Sequence, residues 1–188
     1  MREIIYYSKS ASTTGNFKDL MRAGRMDIVC HIIIMAFFLS NKIRTNVKLH
    51  LFFNGQPDPP KHLELMPKQN IKFQISKKNI AGMIKRILYK YKKDKKIEAF
   101  PGCFIDKISL IDFVNQSDRN FYVLDKKGGD IRKVRFKENP IFIMGDQDGI
   151  PKKDLKKIKG DRISLGSEVY FASQSLTILN NELDRREL

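Results

Sequence analysis

The chain has 188 residues, enough for one domain with a substantial core, and its 41% apolar content argues against general disorder. Thirty-six Lys and Arg against 21 Asp and Glu leave a formal charge of +15. Such a field favours polyanions, nucleic acid ahead of an anionic membrane surface, with a plain solubility surface as the alternative.

Residues 3–7 (EIIYY) predict a first strand, followed by a polar loop, SKSASTTGNFKDL. The opening MREIIYYSKSAS does not read as a signal peptide, because its apolar run is short and closely flanked by charge. The longest apolar stretch, 26–39, contains Asp27 and His31 and falls short of the ~20 residues of a membrane span. It predicts a buried helix over 26–40, with Cys30 a small core residue and His31 a satisfied core or interface residue. Cys30 and Cys103 are far apart and lack metal-ligand spacing, which fits a reducing cytosol.

Residues 47–53 (VKLHLFF) predict a second strand, and the three prolines of NGQPDPPKH exclude helix or central strand there. HLELM (62–66) and IKFQI (71–75) predict a hairpin. Ser76 is expected to cap an amphipathic helix, KKNIAGMIKRILYKYKK, with Ile80, Met83, Ile84, Ile87, Leu88 and Tyr91 on one face. Further on, 104–108 predicts a strand, 110–114 a short helix and 121–124 (FYVL) a strand interrupted by a turn at 127–130. A buried strand at 141–144, a basic helix at 151–159 opened by Pro151, a strand at 162–165 and a helix from about residue 170 complete the chain. This alternation predicts one α/β domain with a mostly parallel sheet, without internal repeat or linker.

Two of these strands run into glycine, IFIM into Gly145 and RISL into Gly166. Open α/β sheets bind ligands at the carboxyl ends of their strands, so the pair points to a pocket there. Its nature is less defined. The G-x-G-x-x-G and G-x-x-x-x-G-K-[ST] patterns are absent. The stretch GDQDG lacks the third oxygen ligand and the later Glu of an EF-hand loop. It approaches the D-x-D-G of haloacid-dehalogenase-type phosphatases, but Gly145 intrudes after the strand and few residues remain downstream for the other catalytic elements. His31, His50 and His62 fall in predicted helix, strand and loop with no companion motif, and no Ser-His-Asp or Cys-His arrangement stands out.

Taken together, TGNF (14–17), AGRMD (23–27), FLS (38–40), NGQPDPP (54–60), GD with Gly149 (145–149), SLG (164–166) and NELDRR (181–186) form a collinear set. It resembles the SPOUT-class tRNA pseudouridine-54 N1-methyltransferases over nearly the whole chain. The resemblance implies a single SPOUT-type α/β domain over 1–188, its mostly parallel sheet flanked by helices, with a C-terminal deep trefoil knot. Knots are rare enough that periodicity alone would not propose one. It further implies a cytoplasmic homodimer acting on tRNA, with S-adenosyl-L-methionine as cofactor and neither metal nor membrane involved. The knot and cofactor region would be about 121–188, with the cofactor on Leu124, Gly145, Leu165, Gly166, Ser167, Glu168, Val169, Tyr170 and Ser175. Arg22 and Arg25 would meet RNA phosphates, as would cations of KRILYKYKKDKK. Asp27 and Asp58 would take up or accept the proton from N1, although Asp27 equally suits a carboxylate complementing a helix N-terminus.

Three departures are visible: Asp-Gln-Asp-Gly for the family's Asp-His-Ile-Gly at 146–149, Gln174-Ser175 for His-Cys, and Met21-Arg22 for Pro-Gly. They leave a second reading open, a SPOUT-fold RNA-binding protein that is inactive or acts on rRNA or another RNA.

Overall fold

The computed structural model describes residues 1–66 and 76–188. Its elements in chain order are β1 (Arg2–Ser8), α1 (Met26–Phe37), β2 (Val47–Phe53), β3 (Lys61–Leu65), α2 (Lys77–Tyr89), β4 (Ile97–Phe100), β5 (Cys103–Asp106), α3 (Leu110–Asn115), β6 (Phe121–Asp130), β7 (Ile141–Gly145), α4 (Lys152–Leu155), β8 (Gly160–Ser164) and α5 (Ala172–Arg185). The strands form one sheet in the order β4-β5-β3-β2-β1-β7-β6-β8. From β2 to β8 the neighbours are parallel, whereas β3, β5 and β4 are joined antiparallel. The result is the α/β fold, with a mostly parallel sheet flanked by helices, that the alternation predicts.

β1 is buried at every position, which is why it reads as a continuous run and not as an alternating strand. Ile4 and Tyr6 join the core under α1, α2 and α5, while Ile5 and Tyr7 join a smaller core under α3. Arg2 fastens β1 to α5: its guanidinium donates to Asn180 Oδ1 at 3.2 Å and to Asp184 at 2.9 Å. Among the described residues no helix is long and apolar enough to cross a membrane.

Several boundaries differ from those the sequence predicts. α1 stops at Phe37, because Phe38 turns extended and bridges Ile43. α2 stops at Tyr89. Tyr91 still packs on the core from beyond the helix, its ring under Lys61 Nζ at 4.0 Å. Ser76 does cap α2, its side chain accepting from the Asn79 N–H. β3 pairs with β2 and β5, and the proposed partner strand at 71–75 lies outside the described residues. β4, a four-residue edge strand, was not foreseen, and β5 occupies 103–106 instead of 104–108.

The predicted turn at 127–130 is strand. After Leu124 the register against β8 shifts, and pairing resumes with Gly129 opposite Ile163 and Asp130 opposite Ser164. The residues between bulge outwards, and the sheet recovers the chain. The basic helix is only Lys152–Leu155, since Ile158 turns into the core and Gly160 already pairs with Phe121. β8 accordingly starts at 160 and ends at Ser164, and α5 begins at Ala172.

Candidate cofactor pocket

A cavity of about 980 Å³ opens at the carboxyl ends of β6, β7 and β8, beside β1, from which the sheet extends in both directions. Such a switch point is where open α/β sheets leave a crevice. Its floor carries Val123, Met144 and Ile163, all buried. The start of α1 closes one side and the segment between β8 and α5 the other.

Of the residues singled out in the sequence, Leu124, Gly145, Leu165, Gly166, Glu168, Val169, Tyr170 and Ser175 line this cavity, and so do Arg25 and Asp27. The fold brings these together from stretches up to 150 residues apart in number, from 25 to 175. Ser167, Arg22 and Asp58 are not among the lining residues. Asp58 sits on the Pro-rich loop. Its carboxylate is held by Lys61 Nζ at 2.6 Å and by Lys107, and its N–H donates to Thr13 Oγ1. Hydrogen bonds from Lys107 and Lys61 hold the Asp58 carboxyl at about 2.

The loop after β7 is shaped by Asp146. Its Oδ2 accepts from Ser8 Oγ at 3.0 Å and from the Lys9 N–H at 2.9 Å, and its Oδ1 accepts from the Asp148 N–H at 3.0 Å. Asp146 therefore ties the end of β1 to the end of β7, a loop-shaping role. Gly145 belongs to the same device: a Cβ there would lie 2.8 Å from Gly149 Cα. The close approach that requires glycine is the loop folding back on itself. Asp146→Ala is expected to strip three donors of their acceptor and cost about 2–3 kcal/mol of stability. Urea unfolding would check this, and a loss below about 0.5 kcal/mol, the ordinary surface range, would contradict it.

Asp27 stands in the first turn of α1, and its two oxygens receive Arg25 Nε and Nη2, each at 3.0 Å. This bidentate pair is the strongest arrangement a carboxylate and guanidinium make. The Arg25 hydrogen bond holds the Asp27 carboxyl below its ordinary range. The helix-terminal and pocket-lining readings of Asp27 are thus both met by one position. The backbone makes the geometry possible: Gly24 (φ +68) and Arg25 (φ 61) are successive left-handed residues, and the chain crosses Ser10 so closely that a Cβ on Gly24 would lie 1.6 Å from Ser10 O.

Sequence reasoning missed His31 as a lining residue. It is half-buried, and burial lowers its pKa. Its spacing of four from Asp27, which puts both on one helix face, is the signal that was available. Gln174 also lines the cavity, and its Oε1 accepts the Phe171 N–H at 3.1 Å, capping α5.

Apolar side chains combined with the Asp125 and Glu168 carboxylates in the lining suit a ligand with a flat heterocycle, hydroxyls and a cationic group. The residues present therefore fit an adenosyl sulfonium compound.

An α/β fold with a crevice at its strand ends defines a class, proteins that hold a nucleotide-like ligand there, and similarity to known proteins gives the family. Residues 1–188 match the family described as "Putative SAM-dependent RNA methyltransferase", and the chain belongs to that family. It is 33% identical over 204 residues to the tRNA (pseudouridine(54)-N(1))-methyltransferase of Methanocaldococcus jannaschii, covering 100% of this chain and 98% of the relative. The enzyme of the same name from Pyrococcus abyssi is 33% identical over 200 residues, with 98% of each chain covered. In fold, the chain is similar to Nep1 of Archaeoglobus fulgidus, solved with S-adenosylhomocysteine bound. That similarity has a TM-score of 0.67 at 13% identity, over 98% of this chain and 97% of the other.

Proposed function

We propose that this protein is a tRNA (pseudouridine-54-N1) methyltransferase that uses S-adenosylmethionine. The observation that carries this reading is full-length similarity to relatives of that name, joined to a pocket lined both by a paired carboxylate, Asp27, and by buried apolar side chains. When bound, the cofactor supplies an electrophilic methyl group on a positively charged sulfur.

The chain's own residues do the rest. Val123, Met144 and Ile163 offer an apolar seat for the purine, and the loops bearing Leu124, Gly145, Leu165, Gly166 and Ser167 offer backbone groups along it. Glu168, Val169, Tyr170 and Ser175 form the outer wall. N1 of the pseudouridine takes the methyl group, the sulfur keeps the electron pair of the broken bond, and the N1 proton must leave. Asp27, kept ionised by Arg25, accepts that proton or the hydrogen bond leading it to water. Asp58 is the second carboxylate of the family-like loops, but it is not among the residues lining the cavity, whereas Asp27 is, so Asp27 is the better-placed acceptor.

Arg22 and the α2 cations give the tRNA backbone its contacts, and a T-loop base has to leave its stack to be methylated. The reaction needs no metal. We also read the segment of about 121–188 as a deep trefoil knot within a single domain. The placement of β7 between β1 and β6, with α5 packed back on α1, supports that reading. Val169 and Phe171, 78% and 76% exposed beside the pocket, favour a homodimer in which a second copy covers them. A cytoplasmic site of action follows from the substrate.

Titration calorimetry should detect S-adenosylmethionine binding, and nucleoside mass spectrometry should find N1-methylpseudouridine after incubation with tRNA that carries pseudouridine at position 54. No cofactor binding would defeat the reading. Cofactor binding with tRNA left unmodified would favour the second reading, a SPOUT-fold protein aimed at rRNA or another RNA, or one without activity. Salt-dependent binding to RNA is expected on either reading and does not separate them.

A further inference from the structure

On the face of the sheet away from α5, four side chains from four adjacent strands form an unbroken polar line. Asp106 Oδ1 on β5 lies 3.0 Å from His62 Nδ1 on β3. His62 Nε2 lies 2.9 Å from His50 Nδ1 on β2, and His50 Nε2 lies 3.1 Å from Glu3 Oε2 on β1. The sequence reading that His50 and His62 lack companions is thereby corrected: the cross-strand register supplies companions that linear spacing hides. Glu3, His50 and His62 are 3%, 1% and 2% exposed. Phe52 stacks on His62 at 4.5 Å, and Phe113 of α3 covers both rings.

Three contacts require three protons, one in each. A neutral imidazole carries one N–H, and an ionised carboxylate carries none. Two neutral rings therefore supply only two protons, which leaves one contact as two lone pairs facing each other in a line that reaches water only through Asp106, whose side chain is 19% exposed. Glu3 is not the source of the third. Burial acts to raise its carboxyl, but hydrogen bonds from His50 and Arg119 and the charge of Lys48 outweigh that and hold it at about 2. Burial likewise lowers His50, so the extra proton is poorly placed there.

A metal is the other occupant to weigh, because His50, His62 and Glu64 bring ligand atoms within 4.8 Å of one another. The geometry disfavours it. The ring centroids are 5.2 Å apart with planes 16° from parallel, which is the 2.9 Å contact plus one ring radius at each end. The two nitrogens are thus head-on, aimed at each other and not at a third point. Glu64 is engaged by Lys96 at 2.8 Å.

We propose that the sheet holds a buried proton-binding site in which the imidazole pair carries three ring protons at neutral pH. His62 is the imidazolium, donating to Asp106 and to His50 Nδ1, and neutral His50 donates to Glu3. Among the described residues, the charged groups facing the line are Glu3 on β1, Lys48 on β2, Glu64 with Lys96 beside β3, Asp106 on β5, and Arg119 ahead of β6, while α3 contributes Phe113. Lys96 and Arg119 are 47% and 32% exposed and so are screened by solvent, whereas Asp106 and Glu3 touch the rings directly. The proton completes a hydrogen-bonded line from the parallel half of the sheet to the antiparallel half. This inference is independent of the proposed reaction.

The test is ¹⁵N nuclear magnetic resonance of the histidine-labelled protein at pH 7. Three slowly exchanging ring N–H protons are expected, with scalar coupling across the hydrogen bond between His62 Nε2 and His50 Nδ1. Two ring protons, or no coupling, would overturn the proposal. Asp106→Asn is expected to drop the count to two by removing the charged acceptor, and a count that stays at three would overturn the assignment to His62. If that variant does not fold, the coupling in the unmodified protein decides. Addition of Zn²⁺ alone is expected to leave the coupling intact, and stoichiometric uptake that erases it would mean a metal site instead.

Discussion

Asp27→Asn is expected to lower the rate of methyl transfer by roughly 100- to 10,000-fold, the range a positioned proton acceptor supplies, while S-adenosylmethionine still binds. Asp27 lines the pocket, and its carboxylate is oriented by two hydrogen bonds from Arg25, so the acceptor is positioned before substrate arrives. The amide is similar in shape but cannot take a proton from N1, and it breaks the bidentate charge pair. Because the Arg25 hydrogen bond lowers the Asp27 pKa, the carboxylate is present throughout the neutral range. Its contribution should be lost only as pH falls through that lowered value. The wild-type rate should therefore show an acid limb that is missing in the variant. Single-turnover rates with calorimetry separate this from a binding defect, and a rate within about threefold of wild type, under 1 kcal/mol of barrier, would remove Asp27 from the chemistry.

Gly24→Ala is expected to be the most damaging single methyl addition near the site, costing about 3 kcal/mol or more from overpacking and left-handed strain together. The added Cβ would lie 1.6 Å from the Ser10 carbonyl oxygen and 2.2 Å from its carbon. Both are backbone atoms, so no side chain can swing aside. The chain must move, and the moving part carries Arg25 and Asp27 at the head of α1. Urea unfolding should record the loss, and the cofactor affinity of whatever remains folded should fall with it. A cost below about 1 kcal/mol would mean that the crossing of the two loops is looser than described.

Much of the fold is legible in the sequence because it is written in short-range chemistry. β1 and β2 announce themselves as apolar runs of strand length, and β2 occupies the predicted residues 47–53. Ser76 announces the start of α2, where its hydroxyl accepts the third-residue N–H. What failed was decided by partners distant in the chain. Lys127, Gly128 and Gly129 have turn composition, yet all three lie within β6: the chain bulges after Leu124 and rejoins β8 at Gly129, opposite Ile163. The basic run after Pro151 has helical character, but Ile158 and Gly160 are claimed by the core and by Phe121.

The pocket shows the same division. The glycine-bearing strand ends identified a crevice from sequence, and the motif set identified the family. Neither indicated that Asp146 would span to Ser8 and Lys9, nor that Asp27 and His31 would line the same cavity as Leu124.

By itself, then, the sequence determined the α/β alternation, the basic charge, the family and the strand ends at which a ligand would sit, since these follow from periodicity, composition and local motifs. Only the tertiary structure decided that Asp58 is tied up in ion pairs while Asp27 is placed on the pocket. It alone joined Asp106, His62, His50 and Glu3 into one line. The physical reason is register: cross-strand neighbours lie within hydrogen-bond reach whatever their separation in the chain, and no linear pattern encodes which strand lies next to which.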